Sequence, residues 1–317
     1  MMTAPHLSVM LEEVLGGLDL ERGGVIADCT FGAGGYSRAI LERSEASVVA
    51  IDRDPSVKVY AQALKDEYGQ RFQLLEGRFS DLVPLLKAAL LESVSGIVFD
   101  IGVSSMHLDQ PERGFSFMAD GKLDMRMGQA GESAADLINT AEAADLAHIF
   151  RLYGEERHAK RIANALARAR PVETTLALRS IIAGQVGAKM ELKSAARIFQ
   201  ALRIAVNDEL GELRKGLAAA EIVLAPGGRL CVVTFHSGED RIVKHFLAER
   251  SGKLAAQRPS RHAPDVRQEG PPPPFTMISR KVIRPTEAEI SINSRARSAK
   301  LRVAERTSAA GWGEFVL

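Results

Sequence analysis

The stretch Val25-Ile-Ala-Asp-Cys-Thr-Phe-Gly-Ala-Gly-Gly-Tyr36 joins a short apolar run to a helical segment through a glycine-rich turn. Glycines allow the backbone to approach a ligand closely, and such a turn presents the first N–H groups of the helix that follows. The turn lacks the Gly-Lys-Ser/Thr ending of a phosphate-binding loop, and Ser37 stands where a dinucleotide-binding turn has its third glycine. Two interpretations are open at this point, a ligand-binding turn and a purely structural strand–helix connection.

The alternation of apolar strand and helix continues along the first third of the chain. Apolar runs at Ser47–Asp52, Phe72–Leu75 and Ile97–Asp100 are separated by segments with helical spacing. Near-continuous apolar strands between helices are typical of a parallel sheet covered on both faces. We therefore expect a doubly wound α/β domain.

The strand pattern stops after about residue 109. Residues 133–170 are rich in Ala, Glu, Leu and Arg with helical spacing, and apolar residues between Phe199 and Leu217 recur at steps of three and four, which predicts one long amphipathic helix. A strand-like run resumes at Arg229–Phe235, and residues 251–274, ending in four prolines, are expected to form an exposed loop. We predict a sheet domain of residues 1–109 and 198–317, with an all-helical domain of residues 110–197 inserted into it.

Composition narrows the class of protein. The 317 residues are 46% hydrophobic and 26% charged, which is ordinary for a globular protein and excludes a disordered chain or a coiled-coil rod. No apolar run approaches the roughly 20 residues of a membrane-spanning helix, and the first residues, MMTAPHLSVMLEEV, lack the pattern of a secretory signal. Cys29 and Cys231 each lie in a strand-like run and are expected in the core. We expect a cytoplasmic protein without a membrane partner and without a metal.

Basic residues are concentrated in two segments. The net charge is only +1, yet residues 241–306 contain 15 Lys or Arg against 6 Asp or Glu, and residues 151–203 contain 11 against 4. Clustered cations favour a polyanionic partner, because they neutralise phosphates and release counterions. Solvated helix faces are the alternative explanation.

Acidic and aromatic residues follow the predicted strands at one edge of the sheet. Asp52 ends the second strand, where a carboxylate can accept hydrogen bonds from both ribose hydroxyls of an adenosine cofactor, or can instead cap the next helix. Phe79 follows the third strand, where it can stack on adenine or belong to the core, and Asp100 ends the fourth strand. NAD and S-adenosylmethionine both fit the glycines and Asp52, whereas Phe79 and Asp100 favour S-adenosylmethionine.

Along nearly its whole length the chain resembles the bacterial 16S ribosomal RNA (cytosine-N4) methyltransferases. Besides the glycine-rich turn, the resemblance is carried by Ala50-Ile-Asp-Arg-Asp-Pro55, Asp100-Ile-Gly-Val-Ser-Ser105, Glu112-Arg-Gly-Phe-Ser-Phe-Met118, Leu123-Asp-Met-Arg-Met127, Tyr153-Gly-Glu-Glu-Arg157, Phe199-Gln-Ala-Leu-Arg-Ile204, Phe235-His-Ser237 and Asn293-Ser-Arg-Ala-Arg-Ser298. It implies a class I, Rossmann-like methyltransferase sheet with the inserted helical domain. It also implies methyl transfer from S-adenosylmethionine to the exocyclic N4 of a cytidine in the decoding region of 16S rRNA. The implied partner is 16S rRNA in the small ribosomal subunit, and the oligomeric state, a homodimer included, stays open.

The resemblance also assigns site residues. Cofactor contacts fall on Gly34, Gly35, Tyr36, Asp52, Phe79, Asp100 and His107. His107 and Tyr36 depart from the family pattern, which usually has Gln and often has His at these positions. Asp100 is in addition the candidate catalytic residue, as the acceptor of an amine N–H.

Other residues are candidates for contacts with RNA. Phe115 and Phe117 are expected either to supply a ring that stacks on the target base or to pack in the core. The candidate phosphate-contacting cations are Arg157, Lys160, Arg161 and Arg168, expected on one helix face, together with Arg295, Arg297, Lys300 and Arg302. Ser237 is predicted to cap the helix that follows it.

Two function classes other than a methyltransferase are possible alternatives. A nicotinamide-dependent oxidoreductase is disfavoured by the missing third glycine and would bind NAD instead of S-adenosylmethionine. A non-catalytic RNA-binding or assembly factor would bind the cofactor but transfer no methyl group to any RNA.

Overall fold

The computed structural model of the chain describes residues 8–128, 130–253 and 271–316. These residues form two compact units, one of Met1–Gly102 with Leu210–Leu317 and the other of Val103–Glu209. The second unit is thus wider at both ends than the expected insertion of residues 110–197. Most of the loop expected at residues 251–274 lies outside the described residues.

The first unit, called the sheet unit here, contains a seven-stranded sheet in the order β3-β2-β1-β4-β5-β7-β6. The strands are β1 (Val25–Asp28), β2 (Ser47–Asp52), β3 (Phe72–Glu76), β4 (Val94–Asp100), β5 (Leu224–Thr234), β6 (Phe275–Met277) and β7 (Lys300–Arg306). The first five are parallel, and β7 runs antiparallel to both β5 and β6. The strand order reverses between β1 and β4, and open α/β sheets bind their ligands at the carboxyl ends of the strands beside such a reversal.

Helices cover this sheet and complete its core. They are α1 (Leu11–Leu18), α2 (Gly35–Arg43), α3 (Lys58–Tyr68), α4 (Leu82–Ala88), α11 (Glu209–Val223), α12 (Ser237–Arg250) and α13 (Glu287–Ile292). Apolar side chains of β4 and β5, such as Phe99 and Val232, pack with Leu86 of α4, Leu217 of α11 and Phe246 of α12. Both cysteines are buried and free, as expected of core residues.

The second unit, called the helical unit here, is built from α5 (Ser105–Asp109), α6 (Ala134–Thr140), α7 (Ala143–Leu152), α8 (Ala159–Ala169), α9 (Thr175–Val186) and α10 (Glu191–Asn207). Its core contains Phe150 of α7, Leu166 of α8, and Ile198 and Leu202 of α10. The unit extends to residue 209 because α10 packs into this core. The seven-stranded α/β sheet with its helical insertion confirms the predicted fold class.

The single long helix predicted across residues 199–217 is in fact two helices. Asp208 separates α10 from α11 and has a left-handed backbone conformation, with φ of +47°. Just before it, the buried Asn207 side chain donates to the carbonyl oxygens of Met125 (2.7 Å) and Arg203 (2.9 Å). The apolar spacing continues through the break, so hydrophobic periodicity alone does not reveal it.

None of the helices that the structure describes is both long enough and apolar enough to cross a membrane.

Candidate active site

The glycine-rich turn after β1 needs glycine for steric reasons. Gly32 and Gly34 have positive φ values of +54° and +80°, in the left-handed region that favours glycine. A Cβ on Gly34 would also lie only 2.8 Å from the Phe31 ring. The turn leads into Gly35 and Tyr36, the first two residues of α2, whose N–H groups have no acceptor within the helix because no helical turn precedes them. The turn therefore offers backbone donors to a ligand.

Asp52, at the carboxyl end of β2, is tied to this turn. Its Oδ2 accepts a hydrogen bond from the Gly32 N–H at 2.8 Å, and its Oδ1 accepts one from the Asp54 N–H at 2.9 Å. Asp54, whose carboxylate accepts the Ser56 N–H, caps the next helical turn. Because Asp54 caps this turn, helix capping does not account for an aspartate at position 52. A carboxylate has about four acceptor sites, so the Asp52 side chain is of a type that can accept ribose hydroxyls as well as backbone N–H groups.

Buried polar groups stabilise the start of α2. The Ser37 hydroxyl donates to Asp28 Oδ2 at 2.7 Å. The serine that stands in place of the third glycine therefore links the start of α2 to the end of β1. Burial raises the pKa of Asp28 to about 6. The Tyr36 side chain is buried, and its hydroxyl donates to the carbonyl oxygen of Val9. Any contact of Tyr36 with a cofactor would therefore use its backbone N–H.

Asp100, at the carboxyl end of β4, has an unusual carboxylate. Its backbone N–H donates to Thr30 Oγ1 at 2.7 Å, but its Oδ1 atom is buried and has no hydrogen-bond partner. Burial, assisted by the negative charges of Asp28 and Glu239, raises the pKa of Asp100 to about 8. We call Asp28, Asp100 and Glu239 the carboxylate cluster.

The third member of the carboxylate cluster is fixed by the start of α12. The fully buried Glu239 accepts hydrogen bonds from the N–H groups of Phe235 (2.7 Å) and His236 (3.1 Å). In return, His236 Nδ1 accepts the N–H groups of Gly238 and Glu239 and is the N-cap of α12. The prediction that Ser237 caps this helix is therefore wrong by one residue, because an imidazole nitrogen replaces the usual hydroxyl or carboxylate oxygen.

Phe79 lies in a short helical turn after β3 and is half-buried. Its ring makes an edge contact with Phe99, with 5.4 Å between centroids. A Cβ on Gly216 would lie 2.6 Å from the same ring, so Gly216 leaves the space that Phe79 fills. These contacts support a role in the core, and stacking on adenine stays a prediction.

His107 belongs to the helical unit, where it stabilises the start of α5. Its Nδ1 lies 3.2 Å from the Ser104 N–H in a capping box, and its ring stacks on Phe115 at 4.8 Å between centroids. Its predicted cofactor contact stays a prediction. Phe115 is buried and Phe117 makes an edge contact with Phe199, so both phenylalanines pack in the core of this unit.

One set of predicted RNA-contacting cations lines a single open groove of about 480 Å³ in the helical unit. Arg157 precedes α8, which begins at Ala159, and so does not lie on the helix as expected. Arg157 nevertheless lines the same groove as Lys160, Arg161 and Arg168. The lining residues are Arg157, His158, Lys160, Arg161, Asn164 and Arg168.

The second set of predicted cations is placed differently. Lys300 Nζ and Arg302 Nε lie 3.2 and 2.8 Å from the carboxylate of Asp240, so both form ion pairs within the sheet unit. The expectation that these two cations are available to RNA is therefore not supported. Arg295 and Arg297 are exposed on a short helical turn.

Comparison with known proteins identifies the family. Residues 3–307 match the family model of the MraW methylase family. The chain belongs to this family. Its relatives include the protein named ribosomal RNA small subunit methyltransferase H of Caulobacter vibrioides, which is 56% identical over 317 residues, covering 98% of this chain and 99% of that protein. The protein of the same name in Paramagnetospirillum magneticum is 52% identical, covering 97% and 98% of the two chains.

Membership of the MraW methylase family confirms the resemblance found in the sequence and makes the chain a methyltransferase. It excludes the oxidoreductase alternative. The methyl donor of this methylase is S-adenosylmethionine, as expected from the sequence.

The residues of the sheet unit fit such a cofactor. The sulfonium group of S-adenosylmethionine is a cation, and a buried charge is stable only when it is paired. The carboxylate cluster places buried acidic groups at the carboxyl ends of β1 and β4, and Asp100 forms no ion pair with any lysine or arginine that the structure describes. The buried, unpartnered Oδ1 of Asp100 is therefore an atom that a cationic group could contact favourably.

The pKa of Asp100 predicts a pH-dependent stability. Because its pKa is about 8 in the folded protein and near 3.9 when unfolded, the folded state binds more protons than the unfolded state between these values. This contribution to the free energy of unfolding is therefore lost as the pH rises from about 4 to 8, by at most about 1.4 kcal/mol per pH unit. The variant Asp100→Asn has no carboxyl group at this position and so lacks this pH-dependent contribution. Asp28 is present in both proteins. Urea denaturation should show the wild type losing stability relative to this variant as the pH rises, and a constant difference would contradict the assignment.

Proposed function

We propose that the chain transfers a methyl group from S-adenosylmethionine to the exocyclic N4 of a cytidine in the decoding region of 16S rRNA. The rRNA substrate is inferred from the identity of 56%, over nearly all of both chains, to a protein named ribosomal RNA small subunit methyltransferase H. The position and the base rest on the sequence blocks that resemble the cytosine-N4 methyltransferases. The homodimer stays a prediction.

The sheet unit supplies the cofactor contacts in this proposal. The N–H groups that follow Gly34, on Gly35 and Tyr36, bind polar groups of the cofactor at the start of α2. Asp52, which is held at the glycine-rich turn by its backbone contacts, accepts hydrogen bonds from the ribose hydroxyls. Phe79 contacts the adenine, and Asp100 faces the sulfonium. When bound, the cofactor supplies an electrophilic methyl group on a positively charged sulfur.

Asp100 is also the proposed catalytic residue. The exocyclic amine of cytosine is a poor nucleophile because its lone pair is delocalised into the ring. A carboxylate that accepts an N–H of this amine favours a localised lone pair and holds the amine in line. Only the ionised carboxylate is purely an acceptor, whereas the raised pKa of Asp100 keeps it protonated near neutral pH. A neighbouring cation lowers the pKa of a carboxyl group, so binding of the donor converts Asp100 into the acceptor that the amine needs.

The ribose contact can be tested with Asp52→Ala. We expect S-adenosylmethionine binding to weaken by about 1.5–3 kcal/mol, the range for hydrogen bonds to a charged group. Glu76→Gln is a matched control, because Glu76 pairs with Asp52 in the strand register but is exposed and bound to Lys58 at 2.9 Å. Calorimetric titration should show nearly unchanged affinity for the control. Unchanged affinity in Asp52→Ala would limit this residue to holding the glycine turn.

The reaction itself is tested by nucleoside analysis of 16S rRNA from cells with and without this chain. The N4-methyl group on the decoding-region cytidine should disappear without the chain and return with the wild type. It should not return with Asp100→Ala, provided that this variant still folds and accumulates. The same modification in cells with and without the chain would contradict the proposed substrate. Failure of the wild type to transfer label from the cofactor to any RNA would favour the non-catalytic assembly factor.

A further inference from the structure

The groove in the helical unit is lined mainly by positively charged side chains. Four of its six lining residues are Lys or Arg, the others are His158 and Asn164, and none is acidic or apolar. All six residues are exposed. An amphipathic membrane-binding surface would instead expose apolar side chains beside its cations, so this lining favours a water-soluble polyanion.

The groove cations differ from other arginines of the helical unit in lacking acidic partners. Several arginines of this unit are held by carboxylates: Arg126–Asp124 at 2.7 Å, Arg179–Glu191 at 2.6 Å and Arg203–Glu209 at 2.7 Å. In the part of the chain that the structure describes, no carboxylate pairs with Arg157, Lys160, Arg161 or Arg168. Arg161 donates from Nε to the neutral Gln185 side chain at 3.2 Å, which orients the guanidinium without neutralising it. The groove therefore keeps an uncompensated charge.

The cations are also held on a rigid support. Helix α8 buries Ile162, Ala163 and Leu166 in the core of the helical unit, which turns its opposite face to solvent. Arg161 and Arg168 are two helical turns apart, roughly 10 Å along the axis at about 1.5 Å per residue. A single phosphate is too small to contact cations over this length, whereas successive phosphates of one strand extend along it.

We propose that this groove binds the sugar-phosphate backbone of the RNA substrate. The proposal rests on the proposed function for the nature of the substrate and adds the surface that holds it. The planar guanidinium groups can bind phosphate oxygens in pairs, and Lys160 can bind them as a point charge. The Asn164 amide can donate to or accept from a ribose 2′-hydroxyl. Such contacts position the RNA and leave the choice of base to other residues.

The test is RNA binding across a salt series with a fluorescently labelled 16S rRNA transcript. The variant Arg157→Gln, Arg161→Gln, Arg168→Gln removes three charges from the groove. Each phosphate contact contributes roughly −0.7 to −0.9 to the slope of log affinity against log salt, so this slope should become less steep by about 2. The matched control Arg151→Gln, Lys189→Gln, Lys193→Gln removes three exposed charges of the same unit outside the groove lining, and its slope should change by much less.

A variant with the same three groove arginines changed to Lys keeps the charge and should keep the slope. The proposal would be overturned if the wild type and the Gln variant had equal salt slopes. It would also be overturned if the slope changed equally in the Gln variant and in the control variant. Thermal melting and calorimetric titration with S-adenosylmethionine verify that each variant is folded. Because binding is measured without methyl transfer, a failure of the groove is distinguished from a failure of the proposed reaction, which the nucleoside analysis detects.

Discussion

The carboxylate cluster is the constraint on which the site depends. Asp28 and Glu239 are fully buried and Asp100 has a buried oxygen without a partner, and burial of like charges is unfavourable unless a cation or a proton compensates them. Without a ligand the compensation comes from protons, which is why burial raises the pKa of Asp28 to about 6 and that of Asp100 to about 8. A cationic methyl donor can replace the proton on Asp100. In the proposed function, Asp100 then becomes an acceptor for the cytosine amine only when the donor is present.

The fold places these groups by strand order and short polar contacts. Strands β1 and β4 are parallel neighbours, so Asp28 and Asp100 come to the same edge of the sheet. Thr30, in the glycine-rich turn, accepts the Asp100 N–H, and Ser37 donates to Asp28. The turn thus leads to the N–H groups at the start of α2 and also holds two members of the cluster. The groove cations of the helical unit are exposed on the surface, where charge is compatible with stability without a permanent partner.

Much of the fold and part of the site were predictable from local sequence. Strands such as Ser47–Asp52 read directly as apolar runs, and the glycine-rich turn and Asp52 follow from residue type and position. Contacts between residues distant in the chain were not predictable. Tyr36 donates to Val9, the buried Arg250 pairs with Glu221 at 2.7 Å, and Asp240 neutralises Lys300 and Arg302. Such pairings depend on tertiary packing, so charge counts along the sequence overestimated the basic surface of residues 241–306.

The proposed exchange of a proton for a cation at Asp100 can be measured directly. Calorimetric titration with S-adenosylmethionine at pH 7, in buffers of different ionisation enthalpy, counts the protons released on binding. With a pKa of about 8 in the free protein, Asp100 should release about one proton when S-adenosylmethionine binds. The release should be clearly smaller for S-adenosylhomocysteine, whose sulfur is neutral, and the difference between the two ligands should disappear in Asp100→Asn. Equal proton release for the two ligands in the wild type would contradict the role of the carboxylate cluster.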